Sequence, residues 1–131
     1  MSASFNKKIL IVEDELPILR ALVATFTSAQ FEVYQAKDGE EGLAAALEHH
    51  PDLIILDIIM PKMDGLTMLR NIRENGDAWG ENVNVIVYTN LSYNEKREEA
   101  RKVGVANFLI KANVPLADLV HKVEKILKTH S

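Results

Sequence analysis

Five short apolar stretches punctuate this chain, and the strongest three, rich in Ile, Val and Leu, are continuous rather than alternating. The strongest are Ile9–Val12, Leu53–Leu56 and Val85–Tyr88; weaker ones lie at Phe31–Ala36 and Ala106–Ile110. A strand with one face in water alternates apolar and polar side chains. An unbroken apolar run instead belongs to a strand covered on both faces, as in a parallel sheet sandwiched between helices.

The segments between the runs carry helical signals. Leu19, Leu22, Val23 and Phe26 form an i, i+3, i+4, i+7 stripe, with Pro17 where a first helical turn tolerates it. Asp38 and Glu41 have capping-box spacing at the head of a helix with Leu43, Ala46 and Leu47, which ends before Pro51. Leu66, Leu69 and Ile72 mark a third helix. Ser92 with Glu95 opens a charged one that stops near Gly104. Asn113 can cap a last helix with Leu116, Val120, Val123 and Leu127 on one face and lysines toward its end. The stretch Asn75–Asn82 reads as a loop. Strand and helix thus alternate five times, which predicts an α/β fold with a doubly wound parallel sheet.

Size and composition narrow the function classes. A chain of 131 residues is one domain's worth, here expected to be a single domain over 1–131. It buries roughly two-thirds of its unfolded surface without help from metals or disulfides. Apolar residues at 47% and charged residues at 26% describe a folded globule. Fifteen Lys and Arg against nineteen Asp and Glu give a net charge of −4, which argues against a general nucleic-acid surface. With no cysteine, thiol chemistry and Cys-ligated metals are excluded. No apolar run approaches the roughly 18 residues that span a bilayer. The polar start Met1–Lys8 lacks a signal peptide's apolar segment, so a cytoplasmic location is expected.

The informative residues stand at the carboxyl ends of the runs. Ile9–Val12 leads into Glu13-Asp14, Leu53–Leu56 into Asp57, Val85–Tyr88 into Thr89, and Phe108–Ile110 into Lys111. Open parallel sheets bind ligands beyond the carboxyl ends of their strands. Three acids, a hydroxyl and an ammonium gathered there suit a hard cation and an oxyanion. Taken singly, each has a plainer use as a turn, cap or solvated strand end; the joint placement makes the case.

Together these residues resemble the receiver domain of two-component response regulators, over nearly the whole chain. The acidic pair Glu13-Asp14, the stretch Asp57-Ile58-Ile59-Met60-Pro61-Lys62-Met63-Asp64-Gly65, and the spaced Thr89 and Lys111 carry the resemblance. It implies a flavodoxin-like (βα)5 fold with strand order 2-1-3-4-5, of the single-domain chemotaxis-regulator kind. It also implies that Asp57 accepts a phosphoryl group, with Mg2+ held by Glu13, Asp14, Asp57 and the backbone carbonyl of Ile59. Lys111 would bind a phosphoryl oxygen, and Thr89 with Phe108 would form the switch.

Three departures from the family pattern matter. Ala112 follows Lys111 where receivers usually have a cis proline; a non-prolyl cis bond costs about 3 kcal/mol, so a trans bond is expected. Asn90 follows Thr89 where a smaller residue is usual, and can narrow the route to Asp57 or bond a phosphate. Ile59 and Leu91 sit at positions that influence hydrolysis of the acyl phosphate; being apolar, neither orients a water, which suggests a long-lived phospho-form. Two further features carry plainer expectations. His49-His50 should lie at an exposed helix end rather than ligate metal. Trp79 either anchors a partner or packs over the sheet edge.

The resemblance implies a phosphorylation-controlled signalling switch rather than an enzyme. Its partners would be a histidine kinase or phosphotransfer protein and an unidentified downstream protein. No direct contact with nucleic acid or membrane is expected, and the chain would be a monomer or a phosphorylation-linked dimer. The alternative is a phosphorylation-independent receiver that serves as a protein-interaction module. A small-molecule phosphatase is disfavoured, because no second acid lies two residues after Asp57. A nucleotide hydrolase is disfavoured too, because the Gly-x-x-x-x-Gly-Lys-Ser/Thr loop is missing.

Overall fold

The computed structural model describes residues 7–90 and 94–130. Five strands form one parallel sheet in the order β2-β1-β3-β4-β5: β1 (Lys8–Val12), β2 (Glu32–Ala36), β3 (Leu53–Leu56), β4 (Asn84–Thr89) and β5 (Asn107–Ile110). The strand order and class are those expected.

Side chains of a strand alternate between its two faces, and here both faces are greasy. Ile9, Ile11, Leu53, Ile55, Ile86 and Tyr88 pack on one side against α1 (Leu16–Ser28) and α6 (Leu116–His130). Leu10, Val12, Ile54, Leu56 and Val85 pack on the other against α2 (Gly39–His49) and α3 (Gly65–Arg73). Val87 joins Ile58, Leu66 and Ala100 under α5 (Asn94–Val103). Unbroken apolar runs are therefore the signature of a sheet buried on both faces.

Local chemistry sets the helix ends. Pro17 occupies the first turn of α1. Asp38 caps α2 by accepting the Glu41 N–H at 2.8 Å, while the Glu41 carboxylate returns to the Lys37 N–H at 3.1 Å, one residue earlier than a regular capping box. His50 ends α2 in a left-handed conformation at φ 46°, and Gly104 does the same after α5 at φ 103°.

Asn75–Asn82 is not simply a loop: Asp77 accepts the Gly80 N–H at 2.7 Å and caps a one-turn helix, α4 (Ala78–Asn82). Asn113 does not cap the last helix. It closes a 3-10 turn over Lys111–Asn113, and α6 starts at Leu116 after Pro115, burying Leu119 as well as Val123 and Leu127. Leu47 is exposed, because α2 buries the narrower line of Gly39, Gly42 and Ala46. The Ser92–Glu95 capping box and Leu91 lie outside the described residues or side chains.

One bond ties the sheet to the segment before α6. The Tyr88 hydroxyl donates to the Val114 carbonyl at 2.7 Å, and burial holds the phenol above its ordinary value. Tyr88→Phe leaves that carbonyl without its partner and should lower stability by about 1 kcal/mol, read as a shifted urea midpoint at unchanged slope. Because the folded phenol titrates higher than the unfolded one, its contribution holds below the unfolded value of about 10. It fades as pH rises through the folded value, so the two proteins should converge in alkali.

Candidate functional site

The strand register brings the polar run-ends together. Val12 lies opposite Leu56, and the Asp57 N–H donates to the Val12 carbonyl at 3.1 Å, so Glu13 and Asp57 leave adjacent strands side by side. Thr89 ends β4 opposite Ile110, and Lys111 follows at once. Glu13 is 2% exposed, Asp57 6% and Thr89 1%. Asp14 is half-buried at the rim.

Asp57 is the hub. One carboxylate oxygen accepts the Thr89 hydroxyl at 2.6 Å and the Ile59 N–H at 3.3 Å. The other accepts the Lys111 ammonium at 2.8 Å, and the same ammonium lies 2.6 Å from a Glu13 oxygen. The second Glu13 oxygen accepts the Glu15 N–H at 3.1 Å. No described buried side-chain nitrogen or oxygen lacks a hydrogen-bond partner.

The electrostatics follow from burial and counting. Burial is the largest influence on Glu13 and lifts its carboxyl above the ordinary value, outweighing the bonds from Lys111 and the Glu15 amide. Burial also pulls hardest on Lys111, in the opposite sense, yet its hydrogen bonds to Asp57 and Glu13 prevail and its ammonium stays above the ordinary lysine value. The asymmetry is physical: Lys111 has two carboxylates, whereas Glu13 shares its one ammonium with a like charge. Oxygens of Glu13, Asp14 and Asp57 lie within 4.8 Å of one another. Three carboxylates and one ammonium leave a charge of two negatives, which one divalent oxygen-seeking cation would cancel.

The structure thus brings together Glu13, Asp14, Asp57, Thr89 and Lys111 as expected. Ile59 follows at the rim, 60% exposed and with its N–H on Asp57. Phe108 stands apart from the carboxylates: half-buried beside Val87 and Ala100, its ring lies under the Arg97 guanidinium at 4.9 Å. Asn90 is exposed next to Thr89, and the Lys111–Ala112 bond is trans, since the described residues include no cis peptide.

His49 and His50 end α2, before β3 starts. His49 stacks on Tyr34 with ring centroids 3.9 Å apart. His50 stacks on Trp79 at 4.3 Å, and the Trp79 ring nitrogen donates to the Pro51 carbonyl at 2.9 Å. Trp79 is therefore a packing residue that seats α4 against the end of α2.

Two glycines, Gly65 of the Asp57–Gly65 stretch and Gly39, have a packing role that no expectation covered. A Cβ on Gly65 would lie 2.3 Å from the Asp57 carbonyl oxygen, and one on Gly39 would lie 2.0 Å from that of Met63. Each follows an aspartate that caps a helix, Asp64 and Asp38. Glycine is a poor first helical residue on propensity alone, so its use twice directly after a cap signals close approach of another backbone.

Residues 9–124 match the model of the response regulator receiver domain. The chain belongs to that family. Among its relatives is the transcriptional regulatory protein PrrA of Mycobacterium tuberculosis, 35% identical over 94% of this chain and 51% of its own length. The chain spans about half the length of several of the curated relatives it matches. Solved structures agree: CheY4 of Vibrio cholerae, a chemotaxis protein, superposes with a TM-score of 0.82 at 28% identity, covering 91% of this chain and 97% of its own. The receiver in a CheX–CheY–BeF3–Mg2+ complex from Borrelia burgdorferi does so with 0.81 at 32%, covering 92% and 88%. This is thus a receiver of two-component signalling, and no described helix is long and apolar enough to cross a membrane.

Proposed function

We propose that this receiver takes a phosphoryl group onto Asp57 from a phosphohistidine of a histidine kinase or phosphotransfer protein. The observation that carries the reading is the environment of Asp57: a buried carboxylate with a hydroxyl on one oxygen, an ammonium on the other, and two further acids alongside. A carboxylate oxygen attacks phosphorus, the phosphorus–nitrogen bond breaks, and its electron pair leaves with the donor imidazole, which retains a proton.

Glu13, Asp14, Asp57 and the Ile59 carbonyl would hold Mg2+, which when bound neutralises the acids and the transferring group. The ligand atoms of the three acids fit such an ion by spacing and by charge. Lys111 and Thr89 already contact the carboxylate, so they are the donors nearest to the new phosphoryl oxygens. Their turn toward the phosphoryl group pulls on β4 and β5, and Phe108 on β5 relays the change to the surface under Arg97. In this reading residues 1–131 act as one signalling domain in the cytoplasm, with no catalysis beyond phosphorylation and slow dephosphorylation of Asp57. The exposed, apolar Ile59 side chain orients no water, which favours a long-lived acyl phosphate.

Incubation with a small acyl phosphate and Mg2+, followed by intact mass, tests the proposal. The chain should gain one phosphoryl group and Asp57→Asn none. After removal of the donor, Ile59→Asn should lose the group faster than the parent. Equal labelling of Asp57→Asn would place the acceptor elsewhere. An unlabelled parent that also gave no amide NMR response to beryllofluoride and Mg2+ would favour the phosphorylation-independent reading.

A further inference from the structure

We propose that Gly39, with the Asp38–Lys62 ion pair beside it, is the seat that positions the loop between β3 and α3, and through it the cation-binding rim of the site. The proposal rests on the reading of Glu13, Asp14, Asp57 and Ile59 as the Mg2+ site; Gly39 is a positioning residue, not a ligand.

The loop runs from Asp57 to Gly65 and is closed at its base by the Gly65 N–H on the Ile58 carbonyl at 2.8 Å. It bends where the Met63 N–H meets the Pro61 carbonyl at 2.7 Å and Lys62 adopts φ 68°. Its outer end rests on the first residue of α2. A Cβ at Gly39 would lie 2.0 Å from the Met63 carbonyl oxygen, 2.7 Å from its carbon and 2.8 Å from the Met63 Cβ. Beside this contact, the Lys62 ammonium lies 3.8 Å from an oxygen of Asp38, itself 3% exposed and engaged in capping α2.

The same segment reaches the site from its other side, since the Ala36 carbonyl accepts the Glu13 N–H at 3.0 Å. Ala36–Gly39 therefore holds Glu13 through one backbone bond and the Ile59 loop through another backbone contact, while supplying no ligand. Because backbone meets backbone at Gly39, no flexible side chain can turn aside. A methyl group there must push the Met63 peptide outward by about an ångström or more to restore van der Waals distance. With the base of the loop fixed, Ile59 moves too. Mg2+ demands near-ideal octahedral geometry, so such a shift falls on cation binding.

The test is an Mg2+ titration followed by amide NMR, with stability measured separately in EDTA. Gly39→Ala should weaken Mg2+ binding by about tenfold or more, the scale of losses when the groups behind metal ligands are changed. Gly80→Ala is the control. It too is a helical glycine set against a backbone, but its Cβ would press on the Ile72 carbonyl oxygen at 2.4 Å, at the far end of α3 from the loop. It should lose stability yet keep its Mg2+ affinity within about twofold.

Should Gly39→Ala fail to fold, a wild-type readout remains: the Gly39 and Met63 amides should shift with the same midpoint as those of Asp14 and Asp57. A folded Gly39→Ala with wild-type affinity, an equal loss in Gly80→Ala, or silent Gly39 and Met63 amides would overturn the proposal. A wild-type chain without any Mg2+ response overturns the reading of the site itself, and is recognised before any variant is made.

Discussion

Replacing Lys111 by Met should destabilise the chain by about 4 kcal/mol at pH 7 in EDTA, and Mg2+ should restore more stability to the variant than it adds to the parent. Lys111 is the ammonium between two nearly inaccessible carboxylates, at 2.6 Å from Glu13 and 2.8 Å from Asp57. Met retains most of the side-chain volume, so packing changes little. What is lost is the charge. Removing one partner of a buried ion pair leaves the others uncompensated, a far larger effect than the loss of a surface pair.

The rescue has a definite sign. In the parent the site holds two net negatives, in the variant three, so a divalent cation is attracted more strongly once the competing ammonium is gone. A cation at about a hundred times its dissociation constant adds about 2.7 kcal/mol to any protein that binds it only when folded. The variant should gain about 1 kcal/mol more than the parent at equal Mg2+. Urea midpoints in EDTA and in Mg2+ measure both numbers; equal gains in the two proteins would show that Lys111 and the cation do not share a site.

The pH dependence follows from the same pair. Glu13 titrates above its ordinary value, so its contribution to stability is fullest below the unfolded carboxyl value and is lost as pH rises through the folded one. Removing Lys111 removes a hydrogen bond that lowers that value and so strengthens the effect. Lys111 titrates above the ordinary lysine value, so its contribution holds below that value and disappears in strong alkali. The deficit of Lys111→Met should therefore be widest near neutrality and close from both sides.

The three central strands were legible because burial on both faces leaves its mark in nearly every residue of β1, β3 and β4, whereas the edge strands β2 and β5 are less buried and read more weakly. Leu53–Leu56 is apolar throughout since Leu53 and Ile55 face α1 and α6 while Ile54 and Leu56 face α2 and α3. The polar residues of the candidate site were legible because each stands one or two positions past such a run, and strand register then does the gathering. Interactions between distant segments were not. α4 forms because Asp77 caps it and Trp79 binds the Pro51 carbonyl, 28 residues away in sequence, whereas Gly80 and Asn82 have weak helix propensity. Arg73 gives no sequence signal either, yet it donates to the carbonyls of Gly80, Val83 and Gly104 and joins α3 to α4 and to the approach to β5. Asn113 has the chemistry of a cap but is taken up by the 3-10 turn that follows Lys111, so the helix begins later.

Gly65→Ala should cost about 3 kcal/mol and impair phosphoryl uptake, although alanine is the better helix former. Gly65 is the first residue of α3 and its backbone is not left-handed, so the conformation itself admits a side chain. In a helix interior propensity would favour the substitution by about 1 kcal/mol, and at this first position by less. The contact decides otherwise: a Cβ would lie 2.3 Å from the Asp57 carbonyl oxygen, 2.9 Å from a Leu56 methyl and 3.0 Å from the Ile58 Cα. Relief must come from moving the backbone of Asp57 or sliding α3 outward, and Leu66, Met68 and Leu69 are buried on that helix with almost no free space. Either movement also strains the Gly65 N–H bond to the Ile58 carbonyl at 2.8 Å. The expected result is a lower urea midpoint together with slower labelling by an acyl phosphate under fully folded conditions. A variant as stable as the parent would mean that the peptide after Asp57 can yield, and such a peptide could not be what fixes the carboxylate against Thr89 and Lys111.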